Sequence, residues 1–234
     1  MPTNTVEASV REGLLALADE QYRAFHQKLV PNVDPERIIG VRSPALQRFG
    51  KALAKTPEAA AFLDCLPHYY VEENNLHGFL LSGLKDFEEV VARLEVFLPY
   101  VDNWATCDGI SPKVFKKEPE ATFELVRGWL KSEREYTVRF GLVTLLRFYL
   151  DEEFRPEGLE LAAGLRREEY YIRMANAWYF SFALIKQYEA ALPYLTERRL
   201  DPWTHNKAIQ KAVESFRISA ERKARLKALR RKDT

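Results

Sequence analysis

An indole and a carboxylate lie four residues apart at Trp104 and Asp108, in the segment 101–108 (VDNWATCD). On a helix, this spacing places both side chains on one face, with their Cβ atoms roughly 5–6 Å apart. An indole face attracts cations, and a carboxylate stabilises positive charge that develops during a reaction. The pair therefore suits a ligand with a flat, electron-poor part and a centre that becomes positive. The alternative interpretation is a buried tryptophan beside a capping or salt-bridged aspartate.

Other catalytic chemistries have little support in the sequence. The two cysteines, Cys65 and Cys107, match neither a disulfide framework nor a zinc site. Four histidines are present, and none of them forms an HxxxH or HxxE pair of metal ligands. Neither GxGxxG nor GxxxxGK[ST] occurs, so a glycine-rich phosphate loop is not expected. We therefore predict a protein that uses no metal and no cofactor.

The length and composition suggest one globular domain. The chain has 234 residues, of which 47% are apolar and 29% are charged. We predict a single α-helical repeat domain over 1–234, with a basic C-terminal helix over 217–234. The sequence has no apolar run of membrane-spanning length and no signal-like N-terminus, which predicts a cytoplasmic protein with no membrane partner. A monomer is the expected oligomeric state.

Positive charge is concentrated at one end of the chain. The net charge is +1, yet the last 18 residues hold eight basic and two acidic side chains, which leaves residues 1–216 at −5. A basic footprint over the whole chain, typical of strong nucleic-acid binders, is therefore absent. Any nucleic-acid site must come from local clustering on one face. The basic end itself has two interpretations, a solvated helix face or a cap of the repeat array that touches DNA.

The pattern is helical almost throughout, with prolines between apolar-periodic stretches of about 10–18 residues. A repeat is visible, because 135–140 (EYTVRF) matches 169–174 (EYYIRM) at a shift of 34 residues. Shorter helix-like segments precede the copies at 121–130, 157–165 and 190–198. Helix pairs that recur at this period predict an all-α, HEAT-like α-solenoid of antiparallel helix pairs with a concave DNA-binding face.

The same shift aligns three basic residues. Arg139 corresponds to Arg173, and Arg173 to Lys207, which lies in the segment 203–211 (WTHNKAIQK). On stacked repeats these side chains would form a row along one groove, and Lys211 would extend that row. The alternative is three solvated helix positions that happen to be basic.

These features together resemble one family. Tyr22 precedes a GVRSP segment at 40–44, Trp104 and Asp108 form a Trp-xxx-Asp pair, Arg139 lies in YTVRFG, and Trp178 closes YYIRMANAW. In order and spacing this set is similar to that of the AlkD-like DNA alkylation repair proteins, HEAT-repeat glycosylases that remove alkylated purines. The resemblance covers residues from about 10 to 225.

The resemblance implies a role for each of these residues. Tyr22, Trp104 and Trp178 would contact the lesion and its deoxyribose, Asp108 would be the catalytic carboxylate, and Arg139 would bind a backbone phosphate. The partner would be alkylated or distorted double-stranded DNA. The family does not need to extrude the base into a pocket, which departs from the usual behaviour of enzymes that act on bases. Trp129 and Trp203 are expected to be structural.

The residue types agree with the implied chemistry. A purine alkylated at N3 or N7 is cationic and leaves readily, and the sugar then becomes oxocarbenium-like, so a carboxylate near C1′ would stabilise it. One departure from the family pattern is Ala105, where an acidic residue often follows the tryptophan. Two alternatives to a glycosylase remain, a non-catalytic binder of damaged or branched DNA that uses the same groove and a HEAT-type protein–protein scaffold.

Overall fold

The protein is described by a computed structural model that covers residues 5–232. Those residues form 14 α-helices and three short 3₁₀ helices, and they contain no β-strand. The predicted all-α, solenoid-type fold of paired helices is confirmed. No helix within residues 5–232 is long and apolar enough to cross a membrane. The chain divides into two compact units, Met1–Glu118 and Pro119–Thr234, and each is described by itself.

Unit 1 contains seven of the described helices. They are α1 (Thr5–Leu15), α2 (Glu20–Leu29), α3 (Ser43–Leu53), α4 (Glu58–Leu63), α5 (Val71–Gly83), α6 (Phe87–Phe97) and α7 (Trp104–Gly109). Helix α5 is the centre of this unit and packs against α3, α4, α6 and α7. Because it is surrounded in this way, even its polar residues Glu72 and Glu73 are fully buried.

Unit 2 contains the predicted repeats. Its short helices are α8 (Pro119–Trp129), α10 (Pro156–Gly164) and α12 (Tyr188–Thr196), and its longer helices are α9 (Glu135–Phe148), α11 (Tyr170–Lys186) and α13 (Pro202–Glu214). Helix α11 lies between α9 and α13 and packs against both. The match at a shift of 34 residues therefore identified three neighbouring helices of one layer.

Polar contacts also connect successive repeats. The backbone N–H of Tyr171 donates to the Glu135 carboxylate at 3.2 Å, and Arg167 Nη1 donates to the Ser132 carbonyl at 2.8 Å. Both bonds join residues about one repeat apart. They fix the register of one helix pair on the next, which apolar packing alone does not specify.

The basic end of the chain carries the last helix, α14 (Ala220–Ala228), which is shorter than the predicted 217–234 segment. Ser219 caps its start by accepting the Arg222 N–H, and the helix ends at Leu229. The His205 ring bonds to the Leu229 carbonyl at 2.8 Å, and Asn206 exchanges two hydrogen bonds with the Arg231 backbone. Residues 233–234, which belong to the predicted segment, lie outside the described residues.

Candidate functional site

Helix α7, which carries Trp104 and Asp108, is short and firmly anchored. Buried Asn103 caps it, since its side-chain oxygen accepts the Thr106 N–H at 2.9 Å. The Thr106 hydroxyl in turn donates to Asn75 Oδ1 of α5 at 2.7 Å. A helix of six residues is not stable by itself, so these bonds to α5 hold it in place.

The Trp104 indole is fixed by one hydrogen bond and one packed face. Its Nε1 donates to the Leu29 carbonyl at the end of α2, at 2.8 Å. The partly buried ring packs against an apolar cluster that includes Val30, Ile38 and Val71. The indole therefore has a defined orientation without being a core residue.

Tyr22 and Trp104 line the same cavity, which has a volume of about 290 Å³. Tyr22 lies in the first turn of α2, where its N–H donates to Asp19 at 2.8 Å, and the Arg42 guanidinium lies 5.2 Å from the centre of its ring. Other lining residues are His26, Leu46, Gln47, Asn75, Phe79 and Ala105. Within unit 1, the structure thus brings together two of the aromatic residues that the sequence suggested.

Asp108 is partly buried and follows Trp104 by one helical turn, so the two do share one helix as predicted. The residues of α7 that line the cavity are Trp104, Ala105 and Gly109. Asp108 is not among the residues that line the cavity. The catalytic role of Asp108 stays a prediction.

Two residues of this site were missed by the sequence analysis. His26 lines the cavity, is 5% exposed, and stacks on Tyr22 with ring centres 5.6 Å apart. Its Nδ1 lies 3.7 Å from Glu72 Oε1, beyond hydrogen-bond range but close enough for an ion pair when the ring is protonated. A buried carboxylate therefore stands directly behind a histidine of the cavity wall.

The Glu72 carboxylate is held by backbone donors. It accepts the N–H groups of Ile39 at 2.9 Å, Gly40 at 2.8 Å and Val41 at 3.4 Å. Burial alone would raise the pKa of Glu72, but His26 and these donors outweigh it, and the net pKa lies below the ordinary value. Glu72 is therefore a buried negative charge. Tyr22 and His26 have the same four-residue spacing as Trp104 and Asp108, and that pattern in the sequence could have revealed His26.

In unit 2, two of the predicted phosphate-binding residues meet at one aromatic ring. Arg173 lies 4.9 Å from the centre of the Trp203 ring, and Lys207 Nζ lies 5.9 Å from it. Arg173 also donates to Asp201 at 2.9 Å, whereas Lys207 donates to the neutral Gln210 at 3.0 Å. Trp203 is partly exposed. The sequence analysis expected only a structural role for it and did not predict its contact with both cations.

The other two cations are less accessible. Arg139 is only 4% exposed and donates to the Tyr171 carbonyl at 2.8 Å. Burial lowers the pKa of Lys211, and the nearby charges of Lys207 and Arg139 lower it further. The charges of Lys207 and Arg139 therefore lie close enough to Lys211 to act on its amino group, while the predicted row of four cations stays a prediction. Its binding to phosphate remains a prediction.

The remaining tryptophans differ in burial. Trp178 on α11 is partly buried and meets Phe182 edge to face, with ring centres 5.9 Å apart. Its contact with a lesion stays a prediction. Trp129 is 4% exposed and packs on Phe140, which agrees with the expected structural role.

One group of side chains in unit 1 has the composition of a metal site. Ligand atoms of Glu7, His68 and Glu73 lie within 4.8 Å of one another. Arg11 already donates to both carboxylates, at 2.7 Å in each case, so a guanidinium supplies the positive charge there. The prediction that the protein uses no metal is not tested by this geometry.

The fold and these surfaces define an all-helical repeat protein with aromatic and cationic side chains suited to nucleic acid. The family model described as "DNA alkylation repair enzyme" matches residues 10–212, which is most of the chain. The chain therefore belongs to this family, the AlkD-like DNA alkylation repair proteins, and its function lies in DNA alkylation repair. No curated protein matches the chain.

Proposed function

We propose that this protein is a monofunctional DNA glycosylase that releases purines alkylated at N3 or N7 from double-stranded DNA. The observation that carries the proposal is the construction of the α7 site. An indole held by Leu29 shares a cavity with Tyr22, and a partly buried carboxylate follows the indole by one helical turn. The family match supports an alkylated base as the substrate, because it is to the DNA alkylation repair enzymes.

In the proposed reaction, the bond between C1′ and the base nitrogen breaks, and its electron pair leaves with the already cationic base, which becomes neutral. The sugar is left oxocarbenium-like, and water adds to C1′ with loss of a proton. Asp108 would stabilise the positive sugar, while the faces of Tyr22 and Trp104 would stabilise the cationic lesion. One such electrostatic group contributes roughly 3–4 kcal/mol, about 10²–10³ in rate.

Unit 2 would supply further contacts to DNA. Arg173 and Lys207 present positive charge next to the partly exposed indole of Trp203, and Lys211 adds a charge near Lys207. Cations beside an aromatic ring suit a phosphate backbone with an adjacent base or sugar. Arg139 is almost completely buried, so only a small part of its side chain could contact a phosphate. Trp178 would be the residue of this unit that contacts the lesion.

The test is release of free base from a duplex that carries a single 7-methylguanine. Wild-type protein should release the base with first-order kinetics, and Asp108→Asn should do so about 100-fold more slowly or worse. Glu12→Gln, which neutralises an exposed carboxylate on α1, is the matched control and should leave the rate unchanged. Equal rates for wild type and Asp108→Asn would contradict the assigned role of Asp108.

A second candidate, DNA binding without catalysis, is favoured by the cation cluster of unit 2 alone. It predicts no released base from any lesion, together with duplex binding that weakens steeply as salt is raised. The same duplex therefore distinguishes the two functions, because binding and release are measured on one substrate.

A further inference from the structure

The loop between α13 and α14 presents two neighbouring exposed side chains, an aromatic ring and a cation. Phe216 is fully exposed, and Arg217 next to it is exposed as well. The backbone of the loop is nevertheless well anchored. Ile218 is 5% exposed, and the Arg217 N–H donates to Ser215 Oγ at 3.2 Å. Ser219 then caps α14. The two exposed side chains therefore project from a fixed backbone, and the packing of the protein does not account for the exposed phenyl ring.

Arg217 is connected to Trp178, the proposed lesion contact of unit 2, through one aromatic ring. Its guanidinium lies 4.9 Å from the centre of the Phe182 ring, and Phe182 meets Trp178 with ring centres 5.9 Å apart. No carboxylate among the described residues forms an ion pair with Arg217. Its positive charge is therefore held close to Trp178 by an uncharged ring and remains available to an anionic partner.

The cations already proposed to bind phosphate lie before Trp178 along α11, whereas Arg217 lies beyond it. Arg173, which contacts Trp203 together with Lys207, precedes Trp178 in the helix. Phe182, which carries Arg217 on its ring, follows Trp178 by one helical turn. The helix rises about 14 Å between the positions of Arg173 and Phe182. The grooves of DNA are about 6 Å and 12 Å wide, so phosphates that face each other across a groove can reach two sites at this separation.

We propose that Arg217 binds a phosphate of the DNA strand opposite the one bound by Arg173 and Lys207. Trp178 then faces the groove between the two strands, and Phe216 packs on the deoxyribose next to the phosphate that Arg217 binds. Contacts to phosphate fix the orientation of a protein on a duplex without reading its sequence. Contacts to both strands would set the rotation of the duplex and so the position of a lesion relative to Trp178. The inference rests on the DNA binding of the proposed function, which the non-catalytic alternative shares, and it does not depend on base release.

The first experiment measures duplex affinity against salt concentration by fluorescence anisotropy. Arg217→Ala should reduce the slope of log affinity against log salt by about 0.9, the value for one phosphate contact. Phe216→Ser should weaken binding about fivefold, as expected when roughly 40 Å² of apolar surface stays in water, and should leave the slope unchanged. Lys131→Ala removes an exposed charge just after the short helix α8 and is the control, with no change of slope expected. Thermal melting establishes that each variant is folded.

The second experiment identifies the strand that each cation binds. Single phosphates are replaced by uncharged methylphosphonates, one at a time, on both strands of a duplex with one tetrahydrofuran abasic site, which has no base to release. One replacement should weaken the binding of wild type and have no effect on Arg217→Ala. Another should weaken wild type and have no effect on Lys207→Ala, and the two phosphates should lie on opposite strands.

Three results would overturn the inference and leave the proposed function standing, provided that wild type releases 7-methylguanine. They are an unchanged salt slope in Arg217→Ala, two partner phosphates on the same strand, and undiminished binding by Phe216→Ser. If wild type binds no duplex at all, both proposals are overturned.

Discussion

Replacement of Glu72 by glutamine tests how the cavity wall is supported. The carboxylate accepts two N–H groups on Oε1, from Gly40 and Val41, and one on Oε2, from Ile39. A glutamine has one carbonyl oxygen, so at least one buried N–H would lose its acceptor and face an NH₂ group instead. Loss of one charged acceptor with an unsatisfied donor left behind costs about 2–4 kcal/mol. For a chain of this length that corresponds to a fall in Tm of about 4–16 °C.

The assay is unfolding by heat and by urea at pH 7, with Glu12→Gln as the control, whose exposed side chain should change the stability by less than about 0.5 kcal/mol. The pH dependence supplies a second criterion. Because the pKa of Glu72 is lower in the folded protein than its ordinary value of 4.5, its contribution is present above pH 4.5 and is lost as the pH falls through the folded pKa. Glu72→Gln should lack that part of the acid sensitivity. A destabilisation below about 0.5 kcal/mol would show that the three donors do not depend on this charge.

Three further outcomes are expected. Lys207→Ala should weaken duplex binding and reduce the slope of log affinity against log salt by about 0.9, measured by fluorescence anisotropy, and an unchanged slope would place Lys207 away from the backbone. Gly40→Ala should destabilise the protein by about 2 kcal/mol or more, because φ is +92° and the new Cβ would lie 2.8 Å from the Asp19 carbonyl, whereas Gly83→Ala meets no atom within 4 Å. Burial lowers the pKa of His68 to about 4, so its contribution to stability is present above pH 6.5 and falls by about 2 kcal/mol by pH 5. His68→Gln should remove that part of the pH dependence in urea titrations, while buried His77, whose pKa is also lowered, keeps its own part. An identical pH profile would argue against a neutral, buried His68 ring.

The layered helices could be predicted because their signals are local. The match at a shift of 34 residues placed the segments 135–140, 169–174 and 203–211 at or near the starts of α9, α11 and α13. The shared face of Trp104 and Asp108 depends only on helical spacing, and α7 provides it. The burial of Arg139 could not be predicted, because it depends on how α9 packs against α11.

The cavity itself could not be predicted from spacing. Glu72 lies in the segment 71–75 (VEENN), which has the composition of a solvated helix face. It is buried because the backbone of residues 39–41, about 30 positions earlier, supplies its hydrogen-bond donors. A contact between residues so far apart in the sequence produces no periodic pattern from which it could be predicted. The same packing places the Glu72 carboxylate next to His26.

The pairing of Arg173 with Asp201 has a consequence for binding thermodynamics. Asp201 caps α13 by accepting the Thr204 N–H at 3.0 Å, so it stays in place whether or not Arg173 is engaged elsewhere. When a phosphate replaces Asp201 as the partner of Arg173, the cation released from the DNA is offset by a cation that the freed carboxylate attracts. Arg173 should then contribute less than Lys207 to the entropy gained from released salt ions. Its binding to DNA would exchange a carboxylate contact for a phosphate contact with little net release of ions.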